Sequence, residues 1–205
     1  MLARILILII GLTMGFCISS KTADKKKYEL PSDSEINAVL KEIVDNDTDF
    51  ISNKQRQATV FSSDLRKYPI QLPQAVDSTI VPTFINHIAI SQLIYEPDIK
   101  KPFFSKPDSL YFLFQSDSTK PVNLDIAIFK KYKLLSINEI NRLFKTENKF
   151  TYYEFSIPYF SVDKTKAHVE FSYVCGSLCG RGGIYLLQKI NGKWIIVSTH
   201  STWVS

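Results

Sequence analysis

Two stretches near the C-terminus carry the residue types from which a chemical site would be built. The first is Val174-Cys175-Gly176-Ser177-Leu178-Cys179-Gly180-Arg181-Gly182-Gly183. In an exported chain, two cysteines four residues apart read first as a disulfide between Cys175 and Cys179. Zinc fits poorly, because C-x3-C without a nearby third and fourth ligand has the wrong spacing. A redox dithiol fits poorly too, since catalytic pairs are usually C-x-x-C. Of seven glycines in the chain, four lie between 176 and 183. Glycine so concentrated marks backbone that needs φ > 0 or that something approaches closely. One reading is an anion cradle, in which N–H groups from Gly176, Ser177, Gly180 and Gly182 converge beside the charge of Arg181. The simpler alternative is a glycine-bent hairpin connection that only twists its strands.

The second stretch is His168-Val169-Glu170-Phe171-Ser172, three polar residues at period two. Their types invite a hydrolase triad. Alternate strand residues stand ~6.6 Å apart, so the three cannot all be in hydrogen-bond contact on a straight strand. Ala167, Val169, Phe171 and Tyr173 form the apolar face, and the polar set reads most simply as the solvated one. His200 lies near the end of the last strand and would allow a histidine pair with His168 across the sheet; His87 stands alone. The chain contains no P-loop, G-x-G-x-x-G, HExxH or G-x-S-x-G. No catalytic residue, metal ligand or cofactor is assigned on these grounds.

The elements that must position these residues follow from periodicity. From Thr151 the period is two, with strands over Tyr152–Ser156, Ala167–Tyr173, Ile184–Ile190 and Trp194–Thr199, and an extension at Thr202–Val204 past a bulge. Asp163–Lys166 is a turn, and Asn191-Gly192 is a two-residue hairpin signal. Residues 151–205 thus read as a four-stranded antiparallel meander. Upstream, Ser32 and Glu35 form a capping box ahead of Ile36, Val39, Leu40, Ile43 and Val44, a helical stripe ended by Asp45–Asp47. Ser136 and Glu139 repeat that signature ahead of a short helix over residues 137–145. Asp108–Gln115 is aromatic-rich and reads as strand or helix. Gln57–Phe61 reads as a strand, prolines punctuate the rest of 50–106, and Val81–Tyr95 has no readable period.

The N-terminus has the parts of a secretory signal: Arg4, the apolar run Ile5–Phe16, and Ser19-Ser20 before a polar stretch. Twelve residues rise about 18 Å as a helix, short of a ~30 Å hydrocarbon core. An uncleaved anchor is the alternative. Lipidation at Cys17 is a third, although Phe16 is a poor residue before a lipidated cysteine. The expectation is export to the periplasm or beyond, with 1–20 a signal, 21–31 a linker and 32–205 one domain. Membrane contact is expected only with an uncleaved segment or a lipidated Cys17.

The composition of the 205 residues excludes disorder, at 45% hydrophobic and 13% aromatic, and the net charge of +5 is too mild to imply nucleic acid. Asp77-Ser78-Thr79, Asp108-Ser109-Leu110 and Asp117-Ser118-Thr119 have the form of O-glycan acceptor triplets, a form short enough to recur by chance.

F-S-x-P-x-F-S-x-D at 155–163, CGSLCGRGG at 175–183, Asn191-Gly192-Lys193-Trp194 and the closing Trp203-Val204-Ser205 together resemble a group of small exported bacterial proteins that end in a CGxLCGxG β-meander. The resemblance covers about a quarter of the chain and implies no catalytic residue. The order of helix then curved antiparallel sheet is similar, more loosely, to cystatin-like and NTF2-like α+β folds, an analogy of architecture that assigns no function. The expectation is therefore an α+β domain with its N-terminal helix packed on a curved antiparallel sheet. Its expected role is a non-enzymatic envelope or secreted binding module for a protein or a small ligand. A hydrolase-like cavity enzyme using His168, Glu170 or His200 is the alternative.

Overall fold

A computed structural model describes residues 28–47, 60–71, 88–89, 102–118, 120–146, 150–176 and 179–205. The apolar N-terminal run, Cys17, most of the linker, His87 and the triplet at 77–79 lie outside the described residues.

Helix α1 (Asp33–Asn46) begins where its capping box places it. The Ser32 hydroxyl accepts from the Glu35 N–H, and the Glu35 carboxylate accepts from the Ser32 N–H. Its stripe of Ile36, Val39, Leu40 and Ile43 is buried. The strands are β1 (Val60–Ser62), β2 (Ile70–Gln71), β3 (Ile88–Ala89), β4 (Lys133–Leu135), β5 (Tyr152–Phe155), β6 (Tyr159–Phe160), β7 (Lys166–Gly176), β8 (Cys179–Ile190) and β9 (Lys193–Val204). Two further helices are α2 (Lys106–Ser118) and α3 (Ile137–Thr146). The Asp108–Gln115 segment is thus helical, and the second capping box forms at Ser136 and Glu139.

The main sheet runs β4-β1-β5-β7-β8-β9, with β6 also on β7. From β5 to β9 it is the expected antiparallel meander. At the opposite edge β1, which overlaps the end of the strand expected over Gln57–Phe61 (residues 57–59 lie outside the described residues), pairs in parallel with both β4 and β5, so the sheet is mixed. It is an α+β fold whose sheet stays open. Asn191 and Gly192 both take positive φ, at 51° and 79°, as a type I′ hairpin requires. The register shifts between Gly182 and Gly183, leaving Thr202 as the extra residue of the bulge that carries β9 on to Val204.

Both faces of the sheet are covered. On the first, Tyr153, Phe155, Ala167, Val169, Phe171 and Tyr185 meet the α1 stripe. On the second, Tyr159 and Leu186 pack with Phe103, Phe104 and Phe112, while α3 closes over Val60, Leu135 and Phe150. Helix α2 serves both sides, placing Tyr111 in the first core and Phe112 in the second. Asp108 is buried within it and accepts from Ser105 and from the Val162 N–H, while Ser109 is half-buried and Leu110 exposed.

Candidate functional site

The cysteines bond as expected. Cys175 is the second-last residue of β7, Cys179 opens β8, and the disulfide joins them across a Cα–Cα distance of 5.0 Å. Ser177 lies outside the described residues. The rest of the glycine cluster corrects the expectation of a loop, because β8 already begins at Cys179. Gly180, Gly182 and Gly183 pair in the ladder with β7, Gly182 and Gly183 pair also with β9, and of the cluster only Gly176 has a positive φ, at 145°. The reason for glycine is close approach. Trp203, opposite Gly182, lies across the strand, and a Cβ on Gly182 would stand 2.0 Å from its indole Nε1. On Gly180 it would stand 2.9 Å from the far edge of the same ring and 3.0 Å from the Tyr173 carbonyl oxygen. Amide groups along a strand alternate in direction, so these glycines do not gather their N–H groups at one point. Arg181, half-buried, sits on the face opposite the indole, across from Tyr173.

The polar face of β7 is likewise corrected. His168 has no exposed surface, because the Phe103–Phe104 pair, Phe112 and Tyr159 roof the second face there, and Ser172 is buried farther along the strand, opposite Gly182. Across the sheet, Tyr159 and Leu186 are the register partners of His168. Neither of its ring nitrogens has a hydrogen-bond partner, and burial pushes its pKa down to about 3. The imidazole is a neutral core group at any ordinary pH.

Glu170 stands one step along the same face, between Ser156 and Ile184 in register, with His200 beyond Ile184. Burial pushes the Glu170 pKa up to about 7, while Arg66 pulls it the other way. Arg66 Nε lies 3.3 Å from Glu154 Oε1, and its Nη1 donates to the Tyr68 hydroxyl at 2.7 Å. Burial raises the Glu154 pKa despite that ion pair, and its Oε2 has no partner. His200 Nε2 is 2.8 Å from Ser198 Oγ. These groups are brought to one face, yet His168 is not joined to Glu170 or His200 by any hydrogen bond. No group of three or more metal-ligating side chains occurs among the described residues.

A cleft of about 390 Å³ opens elsewhere, at the head of α1. It lies within the ~300–1,000 Å³ typical of ligand pockets. One wall is Leu30, Pro31 and the first turn of α1 with Ile36; the second is Lys120–Asn123; the third is Ile157–Tyr159, with Lys67 and Tyr68 beside it. Three of the chain's nine prolines, Pro31, Pro121 and Pro158, stand one in each wall. Their fixed φ makes each wall stiff. The walls are stitched together by polar contacts. Asp33 Oδ2 accepts from the Asn123 side-chain amide at 2.8 Å and its N–H at 3.3 Å, and Asn37 bonds the Asn123 carbonyl and the Asp125 N–H. Buried Gln115 holds Phe160 through both its N–H, at 3.0 Å, and its carbonyl, at 2.9 Å. None of His168, Glu170 and His200 lines the cleft.

Sequence reasoning missed this cleft. Its three walls lie far apart in the chain, and each carries only a proline with one or two polar neighbours. No helix among the described residues is long and apolar enough to cross a membrane. No family model, curated protein or solved structure matches this chain.

Proposed function

We propose that this chain is an exported, non-enzymatic binding module of the envelope or the secreted space, which takes a small ligand in the cleft at the head of α1. One observation carries the reading: the side chains capable of acid–base or nucleophilic work and the cavity capable of holding a ligand are in different places. His168 is sealed beneath aromatic rings, while the cleft offers apolar walls, lysines, amides and tyrosines but no histidine, cysteine or free carboxylate pair. Preformed walls joined by hydrogen bonds suit recognition, since little ordering remains to be done on binding. Export is supported by the disulfide, which persists in oxidising compartments, and by the apolar run that precedes the domain.

The test is a turnover screen on the purified mature chain against ester, amide, phosphate and glycoside reporters, with Glu170→Gln as control. Absence of turnover is the expected result. Turnover of any reporter that Glu170→Gln abolishes would restore the cavity-enzyme alternative.

A further inference from the structure

The charges around the cleft are unevenly satisfied. Lys67 and Lys120 both line it, both are exposed, and neither ammonium enters a hydrogen bond or ion pair with a described residue. The carboxylate of the same cleft, Asp33, is turned aside: its Oδ2 accepts two hydrogen bonds from Asn123. Glu35 in the same helical turn is also engaged, by Ser32 and by Lys164 at 3.2 Å. The two acids of that turn already complement the N-terminal end of the α1 dipole, so the lysines and not the helix end set the sign of the site. The apolar part of the lining includes Ile36, Val122, Ile157 and the three prolines.

We infer that the cleft binds a small free carboxylic acid, its carboxylate between Lys67 and Lys120 and its apolar body along the proline-stiffened walls. The inference rests on the binding-module reading and gives that module a ligand class. The head group is anionic because the lysines have no partner among the described residues, whereas Asp33 and Glu35 are already engaged. The body is apolar because burying hydrocarbon against Ile36, Val122 and Ile157 is favourable. The cleft's volume of about 390 Å³ suits a ligand of modest size, not a polymer. Exposed charge pairs each contribute little, so the two lysines together give a preference of about tenfold and the walls supply the rest.

Calorimetric titration of the mature chain with octanoate, octanamide, octylammonium and inorganic phosphate tests this. Octanoate is expected to bind about tenfold more tightly than octanamide, and octylammonium and phosphate more weakly than either. The double variant Lys67→Gln/Lys120→Gln alters exposed side chains and is expected to fold, which circular dichroism checks, and to bind octanoate and octanamide alike. Equal binding of octanoate and octanamide by the wild-type chain, tighter binding of phosphate, or full octanoate affinity in the double variant would overturn the inference. Each of those outcomes leaves the binding-module reading standing, because only turnover in the reporter screen removes it.

Discussion

Gly182→Ala gives a sign-reversing test of why the glycines are where they are. A Cβ at this position would lie 2.0 Å from Trp203 Nε1 and 2.6 Å from Cδ1, so the indole has to leave the strand. Trp203 is 43% exposed, so about half of its roughly 250 Å² is covered in the native state. At ~25 cal/mol per Å², displacing it costs up to about 3 kcal/mol, an upper bound because the unfolded chain also buries some of that surface. Alanine in a strand recovers about 0.5–1 kcal/mol over glycine. The net expectation is a loss of about 2 kcal/mol, with Trp203 emission shifted to the red. In a Trp203→Ala background the clash is gone, and Gly182→Ala becomes stabilising by about 0.5–1 kcal/mol. Gly180→Ala behaves differently, because its Cβ also stands 3.0 Å from the Tyr173 carbonyl oxygen and stays unfavourable without the indole. Urea unfolding of the four members of the cycle, followed by circular dichroism, measures the coupling. If Gly182→Ala costs the same in both backgrounds, within ~0.5 kcal/mol, close approach by Trp203 is not the reason for the glycine.

Other perturbations have equally definite signs. Replacing both Cys175 and Cys179 by Ser is expected to cost about 2 kcal/mol and to leave the domain folded, since a five-residue ring removes little chain entropy; unfolding midpoints with and without reductant check it. Gln115→Leu strands the Phe160 N–H and carbonyl together, at about 1–3 kcal/mol for each group left unsatisfied, and thermal unfolding reads the loss. The pH dependence has two opposing parts. His168 has a folded pKa of about 3 against an ordinary 6.5, so the unfolded chain binds its proton first and stability falls with decreasing pH from about 6.5 to 3. Glu170 has a folded pKa of about 7 against 4.5, so the folded chain binds its proton first and stability falls with increasing pH from about 4.5 to 7. Between pH 4.5 and 6.5 the two slopes cancel in part. Urea midpoints across pH should therefore show a gain in stability with pH once Glu170→Gln is made, and the opposite slope in His168→Phe. Identical profiles for the two variants would contradict the assignment.

The meander and both capped helices were legible because each rests on local chemistry. Ser32 with Glu35 and Ser136 with Glu139 satisfy helix ends within four residues, and Asn191-Gly192 sets a turn by backbone conformation alone. Helix α2 was ambiguous because Tyr111-Phe112-Leu113-Phe114 has no apolar stripe. The helix lies against two cores, burying Tyr111 and Phe112 side by side while Leu110 stays exposed. The polar face of β7 misled for a related reason. Period-two alternation marks one apolar face, but whether the other meets water depends on what packs there. Here Phe103 and Phe104 arrive from the proline-punctuated stretch and Phe112 from α2, whose type the sequence left open. The glycine cluster marked backbone that needs φ > 0 or that something approaches closely, but not which of the two, nor that Trp203 is what approaches, because that pairing depends on a bulge in β9. The cleft has no signature at all in the sequence. Its lysines and prolines come from segments whose meeting depends on the α1–Asn123–Asp125 hydrogen bonds.

The separation of the cleft from the sealed polar face is tested most directly by backbone amide chemical-shift mapping of the isotopically labelled mature chain titrated with octanoate. Saturable shifts are expected at Leu30, Ser32–Ile36, Lys67, Lys120, Val122–Asn123 and Ile157, with His168, Glu170 and His200 unmoved. Shifts centred on His168, Glu170 and His200, with the head of α1 silent, would contradict it.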